Sequence, residues 1–175
     1  MPRPKSIFAH LRASQREVFL PPDLENQMKA LTDDYEWQEL PGCTEAAFAE
    51  ELFRRNPEVL VGGWSTPRLP SPLPSNLRYV LYVSGAVKGI VSREHLEQGL
   101  VITNWGNSIS RIVAEAALMH IMNCLRQTNH WTLHMHVTKG WNESAPPAWS
   151  LYGRRVGIYG FGFIARALSK LLVPF

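Results

Sequence analysis

Near the end of the chain, RRVGIYGFGFIARALSKLL sets Gly160 and Gly162 between a run of β-branched and small residues and an apolar helical pattern. A strand that turns sharply into a helix presents the first, unbonded N–H groups of that helix and the positive end of its dipole. Such a mouth binds diphosphate. Gly160 allows the tight turn, Gly162 has no side chain to hold phosphates away, and the small Ala165 lets helix and strand pack closely. The acidic residue that would hold the ribose hydroxyls belongs about 20 residues beyond the glycines, past Phe175.

Other residues have chemistry to offer. His130, His134 and His136 stand beside Trp131. Imidazoles four apart on a helix can share a metal, but no carboxylate or cysteine completes the set nearby, so this stretch reads as a polar connecting segment with no metal. Ser84 follows a strand pattern without a G-x-S-x-G elbow, which argues against a hydrolase nucleophile. Trp64 and Trp105 each sit at a strand end near a glycine, where they could line a cleft or simply pack in the core. Glu115 reads as a hydrogen-bonding structural group. Asn142-Glu143-Ser144 fits a glycosylation acceptor, which means little without a secretion signal.

Positioning such groups requires a scaffold, and the first hundred residues alternate strand and helix signals. Residues 6–11 (SIFAHL), 35–40 (YEWQEL), 58–64 (EVLVGGW), 77–85 (LRYVLYVSG) and 100–105 (LVITNW) read as strands. Between them, Pro21-Pro22-Asp23 opens a helix with Leu24, Met28 and Leu31 at helical spacing and Asp23 as its N-cap. Thr44 caps another in which Phe48 and Leu52 share a face and Arg54-Arg55 occupy the end that favours cations. Prolines 67, 70, 72 and 74 make an ordered loop, and Ser92 through Glu97 a short helix closed by Gly99. This alternation predicts a parallel sheet covered on both faces. After Trp105-Gly106-Asn107 the pattern changes, which places a domain boundary near residues 104–108. Residues 110–127 form a helix apolar almost all round, which predicts burial between other elements. Residues 128–150 read as a polar segment with a loop at Pro146-Pro147, and Arg155–Tyr159 as a new strand.

A chain of 175 residues with 45% hydrophobic and 19% charged residues suits a globular domain, or one domain and part of another. A net charge of +3 with scattered Lys and Arg gives no basic stripe for nucleic acid. Cys43 and Cys124 match no disulfide or metal spacing, and the N-terminus shows no signal peptide, so a reduced, cytoplasmic setting is expected. The most apolar helix is interrupted by Arg111, Glu115, His120 and Asn123, which excludes a membrane span.

Two stretches, VSGAVKGIVSREHLEQGLVITNWGNSISRIVAEAAL and LYGRRVGIYGFGFIARALSKLLVPF, resemble the D-isomer-specific 2-hydroxyacid dehydrogenases. That group contains phosphoglycerate dehydrogenase and the glyoxylate/hydroxypyruvate reductases. The likeness spans roughly residues 58–175. It lies in the order of parts: a glycine turn after a strand, a V-x-N strand end, a VAE helix, then the Gly-x-Gly turn. The resemblance implies an α/β protein with a flavodoxin-like substrate domain over 1–105. The N-terminal portion of an incomplete Rossmann domain would follow over 106–175. It implies hydride transfer between NAD or NADP and C2 of a small D-2-hydroxy or 2-oxo acid, and a homodimer when complete.

Carried over by position, Ser84, Gly85 and Ala86 match the loop whose N–H groups hold the substrate carboxylate, with Ala86 beside the cofactor. Gly160, Gly162, Phe163 and Ile164 match the pyrophosphate turn. Phe163 stands where the family often has Arg or a polar residue, and Val87 and Gly89 where it often has a second Gly and an Asp. The family's catalytic Arg, Glu and His come later than residue 175, which implies a fragment inactive by itself. Two alternatives remain: a non-catalytic dimerisation or interaction module derived from such an enzyme, and another Rossmann enzyme such as a methyltransferase. The second fits the elements before residue 105 poorly.

Overall fold

The structure, a computed structural model, describes residues 3–39, 42–140 and 147–175. The chain divides into two compact units, Met1–Gly106 and Asn107–Phe175.

The first unit is built on strands β1 (Ile7–His10), β2 (Tyr35–Gln38), β3 (Val59–Gly62), β4 (Tyr79–Tyr82) and β5 (Val101–Thr103). They form one sheet in the order β2-β1-β3-β4-β5, parallel at every pairing. Ile7 lies opposite both Tyr35 and Val59, and Tyr79 opposite both Val59 and Val101. Side chains alternate between faces along a strand, and the two cores follow that alternation. Phe8, Leu60, Val80 and Tyr82 join Phe48, Leu52, Leu69 and Ile90 on one side. Ile7, Ala9 and Val61 join Leu11, Leu20 and Val83 on the other. Phe48 and Leu52 are fully buried, a contribution of roughly 2 kcal/mol each. The fold class read from the strand and helix pattern holds.

The helices are α1 (Ala13–Phe19), α2 (Pro22–Lys29), α3 (Glu45–Arg55) and α4 (Arg93–Glu97), with a single 3-10 turn at Val87–Gly89. Thr44 caps α3 by accepting the Ala47 N–H at 3.2 Å, as its sequence implies. Ser92 caps α4 in the same way through the His95 N–H. Two details differ from expectation. Helix α1 has no counterpart in the sequence reading, and α2 has Pro21 at its N-cap, so Asp23 lies inside the first turn. There the carboxylate meets the positive end of the helix dipole rather than a free N–H. Glu25 of α2 anchors α1: the Arg16 Nε and Nη2 groups donate to it at 3.0 and 2.6 Å, and Lys29 approaches at 3.2 Å. The Arg16 guanidinium also lies 4.1 Å over the Trp37 ring of β2.

The second unit contains α5 (Ser110–Arg126), α6 (Thr128–Thr138) and α7 (Phe163–Leu171). Three expectations fail here. Residues 128–138 are helical, separated from α5 only by Gln127 in the left-handed region at φ +55°. Helix α5 is not enclosed: Ile112 is 65% exposed, Met119 is exposed, and Ala114 is the apolar side chain it buries. Residues 155–159 form no strand. A strand needs a ladder partner, and no other strand exists among the described residues of this unit. Val156, Ile158 and Tyr159 are therefore exposed. Asn142-Glu143-Ser144 and Pro146 lie outside the described residues. No described helix is long and apolar enough to cross a membrane.

Candidate functional site

The carboxyl ends of four parallel strands are joined by hydrogen bonds at one edge of the sheet. After β3, the Val83 N–H donates to the Gly62 carbonyl at 2.8 Å. Thr66 Oγ1 accepts the Gly63 N–H at 2.9 Å and donates to the His10 carbonyl at 3.0 Å, which links β3 to β1. After β5, the Trp105 N–H donates to the Ser84 carbonyl at 3.1 Å. Asn104 Nδ2 donates to the Gly85 carbonyl at 2.5 Å, and its Oδ1 accepts the Gly106 N–H at 3.0 Å. Gly63 is required by space: a Cβ there would come within 2.8 Å of Leu11 Cδ2. Ligands of open parallel sheets gather beyond this edge.

The turn Ser84-Gly85-Ala86 projects from this edge. Ser84 is buried, while Gly85 and Ala86 are exposed, and their N–H groups have no acceptor among the described residues. Two adjacent free amides can take a carboxylate. Trp105, whose N–H is bonded to Ser84, is one of three rings that meet: Phe19–Trp64, Phe19–Trp105 and Trp64–Trp105 centroids are 5.5, 5.3 and 5.7 Å apart. Trp64 is 63% exposed, so core packing does not account for it.

His10, which the sequence reading passed over within its strand, ends β1 at 2% exposure. Its Nδ1 lies 3.3 Å from Thr66 Oγ1. Thr66 spends its single proton on the His10 carbonyl, so His10 Nδ1 is the donor. That leaves Nε2 bare, and it has no partner among the described residues. Burial against Phe48, at 4.9 Å between ring centroids, holds the imidazole below its ordinary pKa and therefore neutral. It positions the Gly62–Thr66 turn and is sealed from solvent.

In the second unit, Gly160 adopts φ +84°, which L side chains rarely tolerate. Gly162 is the N-cap of α7, with no side-chain cap, and its carbonyl accepts the Arg166 N–H at 3.0 Å. The first-turn N–H groups of Phe163, Ile164 and Ala165 thus have no intrahelical partner. A Cβ at Gly160 or Gly162 would meet nothing within 4 Å, so space before these amides is open. Diphosphate fits such a mouth. Phe161 and Phe163 flank it, both exposed. A cleft of about 420 Å³ runs between α5 and α7, lined by Arg111, Glu115, Phe163, Arg166 and Lys170. Glu115 makes no hydrogen bond among the described residues, contrary to the role read from its position.

His130 and His134 stack 5.9 Å apart on α6 with rings nearly parallel. The described residues contain no group of three His, Cys, Asp or Glu side chains that could hold a metal.

No protein-family model matches the sequence. A stretch of 74 residues, 42% of the chain, is 35% identical to D-3-phosphoglycerate dehydrogenase 1 of Saccharomyces cerevisiae, of which it covers 16%. The fold is similar to that of the NAD-dependent formate dehydrogenase of Staphylococcus aureus, solved in complex with NAD. The TM-score is 0.71 at 19% identity, over 97% of this chain and 53% of that one. The NADPH-dependent glyoxylate/hydroxypyruvate reductase of Sinorhizobium meliloti gives a TM-score of 0.70 at 21% identity, over 96% and 50%. The chain thus spans about half the length of these solved proteins. The chain is thus similar over 42% of its length to a D-3-phosphoglycerate dehydrogenase, and it shares the fold of solved NAD- and NADPH-dependent dehydrogenases.

Proposed function

We propose that this chain is part of an NAD(P)-dependent oxidoreductase acting on the CH–OH group of a small D-2-hydroxy acid, or reducing the corresponding 2-oxo acid, in the cytoplasm. Residues 1–105 form the substrate domain and 106–175 the first portion of the nucleotide domain. The observation that carries this reading is the open amide mouth of α7, with Gly160 at φ +84° and Gly162 at the N-cap. Gly160, Gly162, Phe163 and Ile164 hold the diphosphate through backbone N–H groups, with Ala86 beside the cofactor. When bound, the nicotinamide accepts or gives the hydride. Ser84, Gly85 and Ala86 hold the substrate carboxylate.

A proton donor and a carbonyl-polarising cation have no counterpart at the matched positions of residues 1–175. The chain alone therefore binds without turning over. Isothermal titration with NADH, combined with amide spectra, tests the reading. NADH should shift the amides of Gly160 through Ala165. Amides that stay in place at saturating NADH would overturn it, and turnover of glyoxylate by the 175-residue chain would overturn its inactivity.

The exposed Ile112 and Met119 of α5 and Leu133 and Val137 of α6 support a second, compatible reading, in which this unit pairs with another copy. Light scattering should then give twice the chain mass.

A further inference from the structure

We propose that the Phe19–Trp64–Trp105 cluster is a subsite for a flat, apolar side chain on the 2-hydroxy acid, which makes aryl-substituted acids the preferred substrate class. This rests on the reading of Ser84–Ala86 as the carboxylate loop. Three observations carry it. The three rings meet pairwise at 5.3 to 5.7 Å, with the Trp64 plane inclined to both neighbours at 79° and 86°. In an edge-to-face contact one ring's edge meets one face of the other, so such a contact never covers both faces of a ring, and Trp64 is 63% exposed. The cluster is tied to the carboxylate loop itself, because the Trp105 N–H donates to the Ser84 carbonyl and its neighbour Asn104 donates to Gly85. A carboxylate on the Gly85 and Ala86 amides therefore places the substituent of the same small molecule next to the rings.

The three residues come from different parts of the sequence. Phe19 ends α1, Trp64 follows the Gly62-Gly63 close of β3, and Trp105 follows β5. Their convergence at the carboxyl edge is a product of the topology, at the edge where a parallel sheet binds its ligands. Three indole and phenyl rings offer no charge to a phosphate, but they offer stacking area to a phenyl group. A good aromatic pair changes affinity by up to about tenfold.

D-lactate and D-3-phenyllactate differ only in the phenyl group, so they isolate this subsite. Each is titrated into the isotope-labelled 175-residue chain while the Gly85 and Ala86 amides and the Trp64 indole N–H are followed. Phenyllactate should shift all three at about tenfold lower concentration than lactate needs for the amides. Trp64→Ala should reduce that ratio to near one, and Trp64→Phe should keep most of it. Because the ratio is taken within each variant, a general loss of stability does not imitate the effect. Equal concentrations for both acids, or a ratio unmoved by Trp64→Ala, would overturn the subsite while leaving the carboxylate loop standing. Phenyllactate that moves Trp64 but neither amide would show an aromatic surface unrelated to the acid, and would also overturn it. If neither acid moves Gly85 or Ala86, the carboxylate-loop reading fails and the subsite falls with it.

Discussion

The Trp105 N–H donates to the Ser84 carbonyl at 3.1 Å, so the chain leaving β5 is fastened to the turn that leaves β4. Asn104 adds a second fastening through Gly85 and closes its own loop through Gly106. Removing that side chain with Asn104→Ala should cost about 1 kcal/mol, since both bonds are near solvent. The sharper sign is local. Hydrogen exchange at the Gly106 amide, which loses its acceptor, and at the Trp105 amide, bonded to Ser84, should accelerate, while that of the Val83 amide, bonded to Gly62, should not. Unchanged exchange at Trp105 would mean that the turn is held without Asn104.

The two glycines at the mouth of α7 should fail in different ways. Gly160 sits at φ +84°, so Gly160→Ala should destabilise the chain by about 1–2 kcal/mol through backbone strain. Gly162 has a φ of −79° and open space where a Cβ would go. Gly162→Val should therefore cost only about 1 kcal/mol as a poorer N-cap, yet weaken NADH binding by tenfold or more as its methyl groups fill the phosphate position. Equal NADH affinity in Gly162→Val and the parent would place the diphosphate elsewhere.

His10 gives the chain a pH dependence above the carboxylate range. Its imidazole is held below the ordinary value of 6.5 chiefly by burial. Above that pH neither folded nor unfolded chain holds the proton, and His10 has no effect. As pH falls below 6.5, the unfolded chain takes up the proton first, so stability drops until the folded pKa is passed. Urea midpoints should decline between pH 7.5 and 5.5, and His10→Phe should flatten that decline. A decline of the same size in His10→Phe would assign it to another group.

How much of this could be read in advance depended on where each element finds its partners. The β-sheet unit was legible because its signals are local: residues that alternate between two faces, Thr44 at a helix start, and Gly99 at a helix end. Helix α6 was hidden because Trp131, Leu133, Met135 and Val137 do not gather on one helical face. The stretch 155–159 has the composition of a strand, but composition supplies no ladder partner. The amides of Gly85 and Ala86 and the glycine mouth were visible as motifs. The ring cluster was not, because Phe19 had no signal linking it to Trp64 and Trp105, which only the strand order brings together.

Glu25 governs the lower acid range. Its side chain is only 8% exposed, and its carboxyl is held below the ordinary value of 4.5, first by the Arg16 hydrogen bonds. A carboxylate depressed in the folded state contributes stability above its unfolded pKa and loses it as pH falls through the folded one. At pH 7, Glu25→Gln should cost about 2 kcal/mol, because a charge-assisted pair is replaced and Arg16 keeps only its stacking on Trp37. Below about pH 4.5 the gap between Glu25→Gln and the parent should narrow. His10→Phe should leave this lower step in place while removing the one that begins as pH falls below 6.5, so the two acid transitions separate by variant. Urea titrations of both variants across pH 3 to 8 read the two effects at once. If Glu25→Gln matched the parent at pH 7, the clasp between α1 and α2 would be held by packing alone, and the acid step below pH 4.5 would belong to other carboxylates, with Glu51, paired to Arg54, the first to test.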